Sequence, residues 1–131
     1  FHTPDRVIAI SGDTAPREGL AEVYRGCDVV VHEVYSWAGL ARREKEWQAY
    51  HSSVHTSSRE LAEIMSEAKP GLLVLYHQLF NGVTEAELLR EVEERYEGKV
   101  VSGRDLEIYG CSNTASCCRR TTRELGVQII L

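Results

Sequence analysis

The run Leu72-Leu73-Val74-Leu75-Tyr76 constrains this chain more than any other feature. An apolar stretch with no polar interruption, led in by Pro70-Gly71, reads as a strand covered on both faces, the situation of a central strand in a parallel sheet. A sheet with one wet face would alternate apolar and polar residues instead. Other segments agree with that reading. Val7-Ile8-Ala9-Ile10 is a short apolar run ending in Ser11-Gly12-Asp13-Thr14, Asp28 to Val34 is a second, and Val100-Val101 makes a fourth strand. Leu106 to Tyr109 alternates as an edge strand does.

Helical patterns separate these runs. Leu20, Val23, Tyr24 and Cys27 follow Pro16 at helical spacing, with Gly26 placed to end the turn. Ser57-Ser58-Arg59-Glu60 is a capping box, after which Leu61, Ile64, Met65 and Ala68 fall on one helix face. Thr84 to Glu87 is a second box, opening a helix that turns Leu88, Leu89, Val92 and Tyr96 inward. Leu40 to Gln48 mixes helix formers and both charge signs, which predicts a solvated helix. Trp37 and Trp47 bracket it, either as anchors of this insert on the body or as a substrate-facing lid. Strand, helix and strand in repeated order predict an α/β fold, with a mostly parallel sheet of about four to five strands and helices on one face.

The 131 residues, 43% hydrophobic and 27% charged, suit one globular domain. Its expected extent is 1–109. Residues 110–131 change character, with Cys111, Cys117 and Cys118, the pair Arg119-Arg120 and an apolar Val127 to Leu131. These cysteine spacings match no zinc ribbon or finger, so reduced thiols are expected. A formal charge of −5 and the lack of a basic stripe argue against an unaided nucleic-acid-binding surface. No apolar run reaches the roughly 18 to 20 residues of a membrane span, and the first residues do not resemble a signal peptide; a cytoplasmic location is expected. The start at Phe1 favours a segment of something longer.

Candidate chemistry collects at strand ends. Asp13, Glu33 and His77 end or follow expected strands, and His55 directly precedes the capped helix. Sites in open α/β sheets form at the carboxyl ends of strands, and a carboxylate with imidazoles suits Zn²⁺ or Mn²⁺. An Asp or His after a strand also serves as a turn or cap residue, so spacing leaves both readings open. His32 alternates to the face opposite Glu33 and is expected to be a packed strand residue. His51, four residues before His55, is at most a supporting residue of the site.

Taken in order, Ser11-Gly12-Asp13-Thr14, Val31-His32-Glu33-Val34, His55-Thr56-Ser57 and Leu75-Tyr76-His77 resemble successive motifs of the ribonuclease Z-like hydrolases of the metallo-β-lactamase fold. The resemblance covers about Val7 to Tyr109 and implies one αβ half of an αββα sandwich. It implies that Asp13 and His77 are metal ligands, Asp13 bridging two ions of Zn or Mn, and that Glu33 and His55 form a proton-shuttling catalytic pair. The His-x-His-x-Asp-His segment that supplies most ligands in that family is absent from this sequence. With two expected ligands, the isolated chain should hold metal weakly and be inactive as a phosphodiester or ester hydrolase unless another polypeptide or a second copy completes the site. The alternative is a non-catalytic, self-associating structural or binding module. Either reading favours a homodimer through the sheet's exposed inner face, on the order of 400 Å² against the roughly 300 to 600 Å² usual for a monomer's largest patch.

Overall fold

A computed structural model describes residues 1–110 and the backbone of 128–130. Four strands, β1 (Ile8–Ile10), β2 (Val29–Tyr35), β3 (Leu72–Leu79) and β4 (Val100–Ser102), form one sheet in the order β1-β2-β3-β4, every pair parallel. The crossovers carry α1 (Leu20–Tyr24) between β1 and β2, then α2 (Trp37–Leu40), α3 (Lys45–Val54) and α4 (Ser58–Ala68) before β3, then α5 (Glu85–Glu93) before β4. The expected α/β architecture is therefore present. β3 is the uninterrupted apolar run Leu72 to Tyr76 extended to Leu79, and it is an inner strand.

The period-2 geometry of β2 and β3 sorts their side chains between two cores. Val30, Val34, Leu73 and Leu75 pack with Tyr24 of α1, Leu61 and Met65 of α4, and Leu88 and Val92 of α5. These three helices share that face. Val29, Val31, Leu72 and Val74 point the other way and are buried with Ile8 and Tyr109. The inner face is thus not the bare apolar surface expected from the sequence: its central residues are buried in the chain itself, Tyr109 among their neighbours.

Both capping boxes form. Ser57 Oγ accepts from the Glu60 N–H at 3.2 Å and Glu60 Oε2 accepts from the Ser57 N–H at 3.1 Å; Thr84 and Glu87 do the same for α5. Ser57→Ala removes one partner of an N-terminal donor that has no other within the helix. It is expected to cost about 1 kcal/mol of unfolding free energy by urea titration. A loss below about 0.5 kcal/mol would mean that α4 is held by its buried face alone.

Three expectations need correction. Leu40 to Gln48 is not one helix: α2 ends at Leu40, the chain turns through Ala41 to Glu44, and α3 starts at Lys45. Trp37 and Trp47 are half-exposed rather than buried: Trp37 lies under the Arg59 guanidinium of α4, Trp47 stacks on His51 within α3, and α3 buries none of its residues. Leu106 to Tyr109 does not edge the main sheet. Leu106 takes a left-handed backbone (φ 63), and β5 (Ile108–Gly110) pairs antiparallel with β6 (Gln128–Ile130) as a separate two-stranded sheet. The rest of the expected 110–131 tail, with its three cysteines, lies outside the described residues. Among the described residues no helix is long and apolar enough to cross a membrane.

Candidate metal and proton-transfer site

The loop after β1 turns at Gly12, whose φ of 62 favours glycine, and presents Asp13 at the carboxyl end of the sheet. Ser11 ties this loop to β2: its backbone N–H donates to the Val31 carbonyl, and its Oγ accepts from the Glu33 N–H at 3.1 Å. His77 reaches the same rim by a different device. β3 does not end at Tyr76 but continues to Leu79, and Glu33 pairs with Tyr76 while Val34 pairs with Gln78, so His77 is an extra, bulged residue. Its φ of 41 is left-handed, a conformation that costs a non-glycine residue about 1–3 kcal/mol and that clusters at sites where a side chain must be re-aimed. The result is a separation of 2.8 Å between His77 Nδ1 and Asp13 Oδ1.

His55 closes the third side. It caps α3, its N–H donating to the His51 carbonyl, and its ring meets that of His77 at 5.5 Å between centroids. One ligand atom each from Asp13, His55 and His77 lies within 4.8 Å of the others. Two donors bound to one tetrahedral ion at about 2.0 to 2.1 Å stand about 3.3 Å apart, so Asp13 and His77, in direct contact at 2.8 Å, would part by roughly half an ångström to admit a divalent cation, which this nitrogen, nitrogen, oxygen set suits. The chain alone therefore brings together three potential donors, one more than the sequence reading counted.

Glu33 stands behind this rim. Its side chain is 0% exposed and that of His55 10%, against 59% for Asp13 and 42% for His77, so an open front is backed by a dry pair. Glu33 Oε1 accepts from the Thr56 N–H at 2.8 Å and the Thr14 N–H at 3.4 Å, while Thr56 Oγ1 donates to the Thr14 carbonyl. The carboxylate thus clamps the Asp13 loop to the His55-Thr56 segment. Glu33 Oε2 lies 3.3 Å from His55 Nδ1, within ion-pair distance but not aligned as a hydrogen bond, leaving each atom buried without a hydrogen-bond partner. Burial pushes the Glu33 carboxyl up from 4.5 to about 7, against the lowering by the Thr56 and Thr14 N–H groups; the Asp13 charge adds to the rise. Burial also lowers His55, which Asp13 partly offsets.

The structure gathers all four residues singled out in the sequence. It also involves two that were passed over, Thr14 and Thr56, each adjacent to one of the four inside the quoted motifs. His32 is buried on the helix-covered face, edge-on to Tyr24 at 5.6 Å, and its Nδ1 donates to the Glu33 carbonyl at 2.7 Å, away from the site.

Comparison with solved structures places this architecture in the metallo-β-lactamase fold. The metallo-β-lactamase fold protein YhfI from Bacillus subtilis superposes with a TM-score of 0.60 at 19% identity, over 76% of this chain and 38% of that one. In sequence the chain is ribonuclease Z-like. It is 32% identical over 103 residues to ribonuclease Z of Nitrosopumilus maritimus, covering 79% of this chain and 32% of that protein. It is 39% identical over 74 residues to ribonuclease Z of Brevibacillus brevis (56% and 21%), and 35% identical over 74 residues to ribonuclease BN of Escherichia coli O1:K1 (56% and 22%). The chain thus spans no more than about a third of the length of these relatives. No protein-family profile matches it.

Proposed function

We propose that this chain supplies one side of a divalent-metal hydrolase site that acts on a phosphodiester or ester. Asp13 and His77 would hold the metal, and Glu33 and His55 would manage the proton of the leaving group. The observation that carries this reading is the 2.8 Å approach of Asp13 to His77, achieved through a strained bulge, directly in front of a buried Glu33–His55 pair. A bound Zn²⁺ or Mn²⁺ supplies Lewis acidity and a water of lowered pKa. The chain's own residues do the rest. With Glu33 ionised, His55 keeps its proton on Nδ1 and offers Nε2 as an acceptor. With Glu33 protonated toward Nδ1, Nε2 carries the proton and can give it to a leaving oxygen. A carboxyl near pH 7 lets both states be reached at neutral pH.

With His55 kept for the proton, two donors leave the remaining coordination positions to water or to a second polypeptide, a second copy of this chain included. Titration of the isolated chain with Mn²⁺, followed by the loss of the free-ion electron paramagnetic resonance signal, should show weak binding. Asp13→Ala should weaken it about tenfold or more, the range seen when even supporting groups of metal sites are removed. An isotherm unchanged by Asp13→Ala would overturn the assignment.

A further inference from the structure

Helix α3 carries Trp47, Tyr50 and Val54 along one face, all exposed, the first two at 48% and 56%. Such a stripe on a helix that buries nothing is not explained by the core. The rings are not scattered, however. The Trp47 ring stacks on His51 (5.6 Å between centroids, 24° between planes), Tyr50 meets both edge-on at 6.1 and 5.3 Å, His51 meets His55 at 5.5 Å, and His55 meets His77 at 5.5 Å. A continuous series of rings therefore runs from solvent into the donor cluster. His51 Nδ1 is buried without a partner in this series. One cation stands beside this series although the chain is net acidic: Arg43, loosely paired with Glu44 at 4.0 Å, lies close enough to His51 to disfavour its protonation.

We infer that Trp47, backed by His51 and flanked by Tyr50, is a stacking wall for the leaving-group side of the site, and that the ligand taken there is an anion bearing a planar aromatic ring. The inference rests on the proposed hydrolase reading for the position of the leaving group, beside His55. A half-exposed indole already ordered by one ring offers its open surface to a second planar ring with little further loss of freedom, and the Arg43 guanidinium beside His51 complements an anion. Aliphatic groups of the same size gain the apolar contact without the face-to-face stacking.

The test compares phenyl phosphate with cyclohexyl phosphate, which differ in the ring alone, by nuclear magnetic resonance titration of the full chain without metal. Phenyl phosphate should bind about fivefold more tightly and shift the Trp47 indole N–H. That preference should vanish in Trp47→Ala and return in Trp47→Phe. Equal binding of the two phosphates, no binding of either, or a preference that survives Trp47→Ala would overturn the inference. So would a fall in solution mass by light scattering on Trp47→Ala, because the stripe would then be a contact between copies. Failure of the metal reading would show instead as a Mn²⁺ isotherm indifferent to Asp13→Ala, with the ring preference intact.

Discussion

Glu91→Leu is expected to destabilise the chain by about 2–6 kcal/mol, although none of the hydrogen bonds to the Glu91 carboxylate comes from the four site residues. Its carboxylate is the common acceptor for three donors. Oε1 takes the Ser36 hydroxyl at 2.6 Å, and Oε2 takes the Ser58 hydroxyl and the Trp37 N–H, the latter at 2.9 Å. Ser36 and Ser58 are fully buried, and Ser36 in turn accepts from the Gly39 N–H to cap α2. Leucine fills the space and keeps water from replacing the carboxylate, so two buried hydroxyls lose their charged acceptor at about 1–3 kcal/mol each. Glu91→Gln, which keeps one acceptor oxygen, should recover part of the loss. Urea unfolding at one pH measures both; a Glu91→Leu protein within about 0.5 kcal/mol of the parent would show that the hydroxyls find other acceptors.

The second large effect is a pH dependence. With a chelator present, the stability difference between Glu33→Gln and the parent should move in favour of the variant by about 2–3 kcal/mol between pH 4.5 and pH 8. The size follows from a carboxyl raised from 4.5 to about 7, at 1.36 kcal/mol per unit. In this window the folded parent binds a proton that the unfolded chain has released, so the Glu33 contribution to stability is greatest below about 4.5, falls as pH rises toward about 7, and is flat above. This is opposite to a salt-bridged carboxylate. His32, His51 and His55 are all lowered by burial and contribute stability in the other direction, lost as pH falls below their ordinary value of 6.5. The parental curve therefore mixes both, and only the difference from Glu33→Gln isolates the carboxyl. A pH-independent difference would show that Glu33 is ionised throughout, held by Thr14 and Thr56.

Much of this was readable from residue order. Capping boxes at Ser57 and Thr84 located two helix starts because a cap is a local hydrogen-bond pattern written in a few residues. Asp13, Glu33 and His77 could be picked out because a parallel sheet delivers all its strand ends to one rim. What escaped was non-local. Nothing in Tyr76-His77-Gln78 announces a bulge, since β3 keeps its hydrogen bonding to β2 on either side of it. The break between α2 and α3 falls at Ala41 to Glu44, which contains neither glycine nor proline. His55 emerged as a potential donor only once α3 was seen to end against His77, and the aromatic series along α3 depends on that same meeting of two distant segments.

The order β1-β2-β3-β4 has a consequence for how the sheet is built. Among the described strands of this sheet, those adjacent in space are also successive in the chain, so none of them is inserted between two that came before it. A polypeptide emerging from the ribosome amino end first can add β2 to β1, β3 to β2 and β4 to β3, each onto an edge that already exists, with the intervening helix available to cover the new pair. No earlier pairing has to part. Shortening the chain from its carboxyl end would by the same logic remove β4 from the margin and leave β1 to β3, with Asp13, Glu33, His55 and His77 all upstream of the cut.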